Sequence, residues 1–75
     1  MNETVVGLLA DATGIGATEI VPTLTRTEDD RWDSLSHLRL ITALEESFSV
    51  KFTMDEIENI QTVADIEALL AQRTA

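Results

Sequence analysis

Residues 33–48 read DSLSHLRLITALEESF and carry the clearest amphipathic pattern in the chain. Asp33 and Ser34 are residue types that cap the N-terminus of a helix. The stretch contains neither Gly nor Pro, and its apolar side chains recur every three or four positions, at Leu35, Leu38, Ile41, Leu44 and Phe48. Such spacing places them on one face of an α-helix. The stretch therefore predicts a helix that begins at Asp33 or Ser34 and ends near residues 47–49.

An earlier amphipathic stretch predicts a first helix from Asn2 to about Ala12. Asn2 is a typical N-cap, and Gly14 is a typical stop after the last turn. Between them, apolar residues fall on one helical face, at Val5, Val6, Leu8, Leu9 and Ala12.

Two short capping patterns predict the remaining helices. Thr53 and Glu56 form a capping box for a short third helix from Met54 to about Asn59, with Ile57 and Ile60 facing inward. Thr62 and Asp65 resemble a second capping box with the shorter acid. The fourth helix that they open is expected to fray at residues 72–74, and its apolar face consists of Val63, Ile66, Leu69 and Leu70.

Residues 14–32 form the longest connection, which holds two glycines, the only proline and an acidic run at residues 28–30. Loops of this length are usually functional. Ile15, Ile20, Val21 and Leu24 are expected to pin it to the core. The chain is therefore predicted to be all-α, a small four-helix bundle with a long loop between helices 1 and 2 and a short third helix, in a single domain over residues 1–75.

Composition excludes several classes of function. The chain has 75 residues, no Cys and one His, so thiolate and multi-histidine metal sites are not expected. Its 14 acidic against 5 basic residues give a net charge of −9, which disfavours nucleic acid and anionic membranes and favours basic protein surfaces. No apolar run is long enough to span a bilayer, and the N-terminus lacks the basic start of a signal peptide. A cytoplasmic monomer is expected.

Ser34 is the main candidate for chemistry. Asp33, Ser34 and His37 contain the residue types of a nucleophilic triad, but Asp33 adjoins Ser34 and no Gly-rich oxyanion site is near. A calcium loop at Asp29, Asp30 and Asp33 lacks the alternating acids of such loops. A phosphate ester on Ser34 would be favoured by the helix dipole. Spacing alone favours the simpler interpretation, in which Ser34 is only an N-cap.

A longer pattern around Ser34 resembles the acyl carrier protein family. It begins with Asp33, Ser34 and Leu35 at the start of the helix and covers most of the chain from residue 32 onward, with a looser match to the first helix. The matching positions continue in order through Leu38, residues 43–46, Phe48, Phe52, residues 55–57, Thr62, Val63, Asp65, Ile66, Leu69 and Leu70.

The resemblance implies that Ser34, flanked by Asp33 and Leu35, carries 4′-phosphopantetheine through a phosphodiester. This arm would supply the thiol that a chain without Cys lacks, and would hold acyl groups as thioesters. Catalysis would then reside in the partners, a phosphopantetheinyl transferase (holo-synthase) and acyl-loading and acyl-processing enzymes, so the chain itself would not be an enzyme. The acyl chain is expected in a cleft between the second and third helices, lined by Leu38, Ile41, Ile57 and Ile60.

The chain departs from the family pattern on the second helix. Ser36 and Arg39 stand where fatty acid carriers usually have carboxylates, whereas other acidic positions match. The expected partner-facing set is Ser36, His37, Arg39, Glu45, Glu46 and Glu56. Because rim charges govern partner discrimination, this favours a specialised lipid or polyketide-like pathway. Three alternatives stay open: neutral drift on a solvated face, a housekeeping fatty acid carrier, and a helical interaction module without a prosthetic group.

Two aromatic residues near Ser34 have competing interpretations. Trp32, the only Trp, is expected to pack the loop against the helices, with contact to a partner or to the arm as the alternative. His37 is expected to be solvated or partner-facing. No second residue stands at a spacing that would make His37 a metal ligand.

Overall fold

The computed structural model describes residues 2–74, and within this range it contains four α-helices and no β-strand. They are α1 (Glu3–Thr13), α2 (Ser34–Phe48), α3 (Met54–Asn59) and α4 (Val63–Thr74). A single 3₁₀ turn, Ala17–Glu19, interrupts the loop between α1 and α2. The predicted all-α class, with a short third helix and its longest loop before α2, is confirmed.

The ends of the first two helices follow the predicted capping residues. The side chain of Asn2 accepts the backbone N–H of Thr4 at 2.9 Å and starts α1. Gly14 ends α1 in the left-handed conformation, with φ of 80°, which costs glycine nothing because it has no Cβ. At α2, Asp33 is the cap, and Ser34 is the first helical residue.

The core is built from one face of each long helix and from anchors in the loop. The buried apolar residues are Val5, Leu9, Ile15, Ile20, Trp32, Leu40, Ile41, Leu44, Ile60, Val63, Ile66 and Leu70. On α2 the buried face runs through His37, Leu40, Ile41 and Leu44. The predicted face was wrong at its first turn, because Leu35 is 58% exposed and Leu38 is 53% exposed. Trp32 covers the core at this end of α2, so the helix turns a neighbouring face inward.

The long loop is held to the core and to the α3–α4 connection. Ile15 and Ile20 are buried anchors as predicted, whereas Val21 is 45% exposed and does not pin the loop. Further along, the Arg26 N–H donates to the Gln61 carbonyl at 2.9 Å, and the Val63 N–H donates to the Leu24 carbonyl at 3.2 Å. These bonds place the second half of the loop beside the start of α4.

The third and fourth helices begin at the predicted capping boxes. Thr53 and Glu56 exchange hydrogen bonds of 2.9 and 3.2 Å at the start of α3. Thr62 and Asp65 do the same at 3.1 Å in both directions. The expected fraying is wrong, because α4 stays helical through Thr74, and Arg73 forms an ion pair with Glu56 of α3.

Candidate functional site

Ser34 is exposed at the first position of α2. Its backbone leads directly from the Asp33 cap, whose Oδ1 accepts the Ser36 N–H at 2.9 Å. The capping role suggested for Ser34 is therefore filled by Asp33. No described residue forms a hydrogen bond with Ser34 Oγ. Modification of the Ser34 hydroxyl would therefore break no hydrogen bond that caps the helix.

The Asp33 carboxylate is held in its charged form. Its pKa lies below the ordinary value because the Ser36 backbone N–H and then the Ser36 hydroxyl donate to it, and the cation of Arg39 adds a smaller effect in the same direction. Hydrogen bonds to a carboxylate favour its ionised state. The cap that positions Ser34 is therefore intact at neutral pH.

Two open cavities flank Ser34. One, of about 300 Å³, lies toward the loop and is lined by Ser34, Arg26, Thr27, Trp32, Asp33 and Gln61. The other, of about 200 Å³, lies between α2 and α3 and is lined mainly by Ser34, Arg26, His37, Leu38, Met54 and Ile57. A group attached to Ser34 can enter either space.

A chain of hydrogen bonds connects Trp32, which lines the cavity toward the loop, with His37 and Ile57, which line the smaller cavity. Trp32 Nε1 donates to His37 Nδ1 at 3.0 Å, and His37 Nε2 lies 2.9 Å from the carbonyl oxygen of Ile57. An indole N–H can only donate, so Nδ1 is the acceptor and the imidazole proton resides on Nε2. The Trp32 N–H thus joins the loop to α2, and the Nε2 proton of His37 joins α2 to α3.

His37 is therefore not partner-facing, which corrects the prediction. It is only 3% exposed, because both ring nitrogens are satisfied inside the protein. Burial lowers its pKa below the ordinary 6.5; the Ile57 carbonyl opposes this change, and the charge of Arg26 adds to it. Trp32 is 2% exposed and packs the loop onto the helices, as predicted.

The structure brings two of the four residues predicted to line the acyl-chain cleft together beside Ser34. Leu38 and Ile57 line the cavity next to Ser34. Ile41 is 4% exposed and lies in the core, and Ile60 is buried and borders a separate cavity of about 310 Å³ between α3 and α4. Ile41 and Ile60 are absent from the lining of the cavity beside Ser34, because both are buried in the hydrophobic core, which also includes Trp32.

The predicted partner-facing residues divide into free and engaged side chains. Arg39 and Glu46 are exposed, and Ser36 is half-buried beside the cap. Glu45 accepts the Phe52 N–H at 2.9 Å and so fastens the segment after α2. Glu56 completes the α3 capping box and pairs with Arg73. Glu45 and Glu56 therefore have structural roles within the chain.

Three residues that line the smaller cavity were not among the predicted site residues. Arg26, Met54 and Glu58 all line the smaller cavity. The Thr53 cap places Met54 in the first turn of α3, but its spacing in the sequence did not indicate that it lines a cavity. Arg26 is the only basic residue between Pro22 and the acidic run at residues 28–30. This isolated positive charge is the feature of the sequence that could have indicated a site residue.

Comparisons with known proteins agree on one family. Residues 3–70 match the family model described as phosphopantetheine attachment site. The chain is 34% identical over 97% of its length to the acyl carrier protein of Thermosynechococcus vestitus, of which it covers 90%. It is 35% identical over its whole length to that of Syntrophobacter fumaroxidans, covering 93%. With that of Acidothermus cellulolyticus the identity is 33% over 89% of the chain, covering 80%.

Within the part of the chain that the structure describes, no helix has the length and apolarity needed to cross a membrane. In the same residues, no three His, Cys, Asp or Glu side chains group in a way that could hold a metal ion.

Proposed function

The chain belongs to the acyl carrier protein family, and from this premise we propose that Ser34 is the residue that carries its 4′-phosphopantetheine. The observation that supports this most is the free hydroxyl of Ser34 at the start of α2, open to a cavity on each side. When bound, the group supplies a thiol that can hold acyl chains as thioesters. The chain has no Cys and could not supply one itself.

The neighbours of Ser34 have distinct roles in this proposal. Asp33 holds the start of α2, so that Ser34 is presented at a fixed position. Leu35 and Leu38 leave apolar surface exposed beside it, which suits contact with a transferase and with acyl-handling enzymes. Catalysis is assigned to those enzymes, and the buried His37 does not serve Ser34 as a general base, because Trp32 and Ile57 engage both of its ring nitrogens.

The pathway proposed is a specialised lipid or polyketide-like one. Support comes from the outer face of α2, where Ser36 and the exposed Arg39 replace the carboxylates usual in fatty acid carriers. A basic partner surface would meet a neutral and a positive side chain there. Such changes at an interface rim alter encounter and discrimination more than the total affinity.

Intact mass after co-expression with a broad-specificity phosphopantetheinyl transferase tests the attachment. The wild-type chain should gain the mass of one arm, and Ser34→Ala should gain none while keeping its helical circular dichroism. Ser36→Ala is the matched control, because it removes a hydroxyl two residues away; it should be modified like the wild type. A mass gain in Ser34→Ala would refute the assignment of the site. No gain in the wild-type chain would favour the interaction module.

A further inference from the structure

Arg26 is fixed between the loop and α3, next to Ser34. Its backbone N–H donates to Gln61, and its Nη2 donates to the Glu58 carbonyl oxygen at 3.2 Å. Its side chain lines both cavities that flank Ser34. A cation therefore occupies the wall that these two spaces share.

The guanidinium of Arg26 has hydrogen-bonding capacity that the described residues do not use. Its Nε is buried and has no hydrogen-bond partner, which is unfavourable for a polar atom. Arg31 forms salt bridges with Glu19 and Asp29, whereas Arg26 forms none with a described carboxylate. In a chain of net charge −9, an arginine without a carboxylate partner is a site suited to another anion.

We propose that Arg26 is the counter-ion of the phosphodiester that links the arm to Ser34, and that it positions the arm over the cavity between α2 and α3. The inference rests on the proposed function of Ser34. A phosphodiester carries one negative charge and accepts hydrogen bonds, and a planar guanidinium pairs with phosphate oxygens through more than one N–H. A phosphodiester on Ser34 would bring acceptor oxygens into the two cavities that the Arg26 side chain lines, next to a guanidinium whose Nε has no partner.

The test compares apo and holo protein by nuclear magnetic resonance, after intact mass has shown that the arm is attached. The Nε–H resonance of each arginine is observed separately. On attachment, the Arg26 resonance should shift more than those of Arg31, Arg39 and Arg73, and its exchange with water should slow by roughly tenfold, because charge-assisted hydrogen bonds are the stronger class.

Variants of Arg26 test the same contact through the phosphorus-31 resonance of the attached phosphodiester. Arg26→Gln should shift the phosphorus-31 resonance of the holo protein, and Arg26→Lys should shift it less because the charge is kept. Arg39→Gln is the control, since it removes an equal charge from the exposed face of α2 and should leave the resonance in place. Inorganic phosphate added to the apo protein should move the Arg26 signal less than the attached arm does.

Several outcomes would overturn the inference. One is an Arg26 Nε–H resonance that does not change between apo and holo protein, or that responds to free phosphate but not to the arm. Another is a phosphorus-31 shift in Arg39→Gln equal to that in Arg26→Gln. If Arg26→Gln does not fold, the apo–holo comparison of the wild-type chain still decides. Absence of the arm by mass is a different result and counts against the assignment of Ser34 instead.

Discussion

The protonation state of His37 is expected to make the stability of this protein sensitive to pH. The neutral ring accepts from Trp32 and donates to Ile57, so protonation of Nδ1 must break the bond to Trp32. A group whose pKa is lowered on folding binds fewer protons in the native state, and its contribution is present above the unfolded pKa. For His37 this contribution is complete above pH 6.5 and is lost as the pH falls through the lowered pKa.

Urea unfolding at pH 7.5 and at a pH below 6.5 measures this effect. We expect the free energy of unfolding to fall with pH in the wild-type chain, and to change less in His37→Gln, whose amide donates and accepts but does not titrate. Asp33 also has a lowered pKa, but its contribution is lost only below its ordinary value of 3.8. An equal pH dependence in His37→Gln would show that other groups are responsible.

Trp32 is expected to control the pKa of His37. Trp32→Phe removes the indole donor and leaves Nδ1 free to take a proton, so the pKa of His37 should rise toward its ordinary value. The lost bond and the unsatisfied nitrogen should cost about 1–3 kcal/mol of stability. Because the chain has one His, a proton titration by nuclear magnetic resonance reads this pKa without overlap. A lowered or unchanged pKa would contradict the hydrogen-bond chain.

The difference between Ser34 and His37 shows what the sequence could predict at this scale. Ser34 was predicted because its motif and its position at a helix start are local features. The burial of His37 depends on Trp32, which lies before the helix, and on the Ile57 carbonyl, which lies on another element. The spacing of residues along α2 alone cannot predict a contact that also involves the loop and α3.

Among the described α-helices, α3 is the shortest, and it forms one wall of the smaller cavity beside Ser34. Ile57→Asp places a charge in that wall, so a long acyl chain on the arm should be less well shielded and its thioester should hydrolyse faster. Val21→Asp is the matched control, because Val21 is already 45% exposed in the loop. Equal hydrolysis rates in wild type and Ile57→Asp would indicate a cargo that remains in solvent.

The outer face of α2 should determine partner choice. Exposed charge pairs contribute roughly 0.2–1 kcal/mol each, so losing two carboxylates and gaining one cation could cost about 1–3 kcal/mol, or roughly fivefold to more than a hundredfold in affinity. Ser36→Asp combined with Arg39→Glu should therefore raise turnover by fatty acid elongation enzymes. If the unaltered chain already matches a housekeeping carrier in that assay, the specialised pathway is wrong.

Helix boundaries were more predictable than helix faces. The caps at Asn2, Asp33 and Thr53 act within a few residues of themselves, and the structure confirms all three. The inward face of α2 was wrongly predicted at Leu35 and Leu38, since the buried face depends on which neighbouring residues pack against the helix. Trp32 lies at the end of the long loop, and no local sequence pattern predicts the path of that loop.

At the scale of the whole molecule, the net negative charge is expected to lower stability. A charge of −9 on 75 residues produces self-repulsion, and salt screens it. The melting temperature should rise between low and physiological ionic strength. Asp30→Asn, at an exposed carboxylate outside the described ion pairs, should raise the melting temperature at low salt and have less effect at high salt. A flat or falling response to salt would show that repulsion is not a limiting factor.

The position of Trp32 also gives the protein an intrinsic optical probe. With one Trp and no Tyr, its ultraviolet emission comes from a single indole, two residues before Ser34. The indole is buried, and its ring centroid lies 6.1 Å from that of His37. An enzyme that lifts the loop from α2 would expose this ring to water and move its emission to longer wavelength. Stopped-flow fluorescence could then follow the rate of this loop movement without an attached dye.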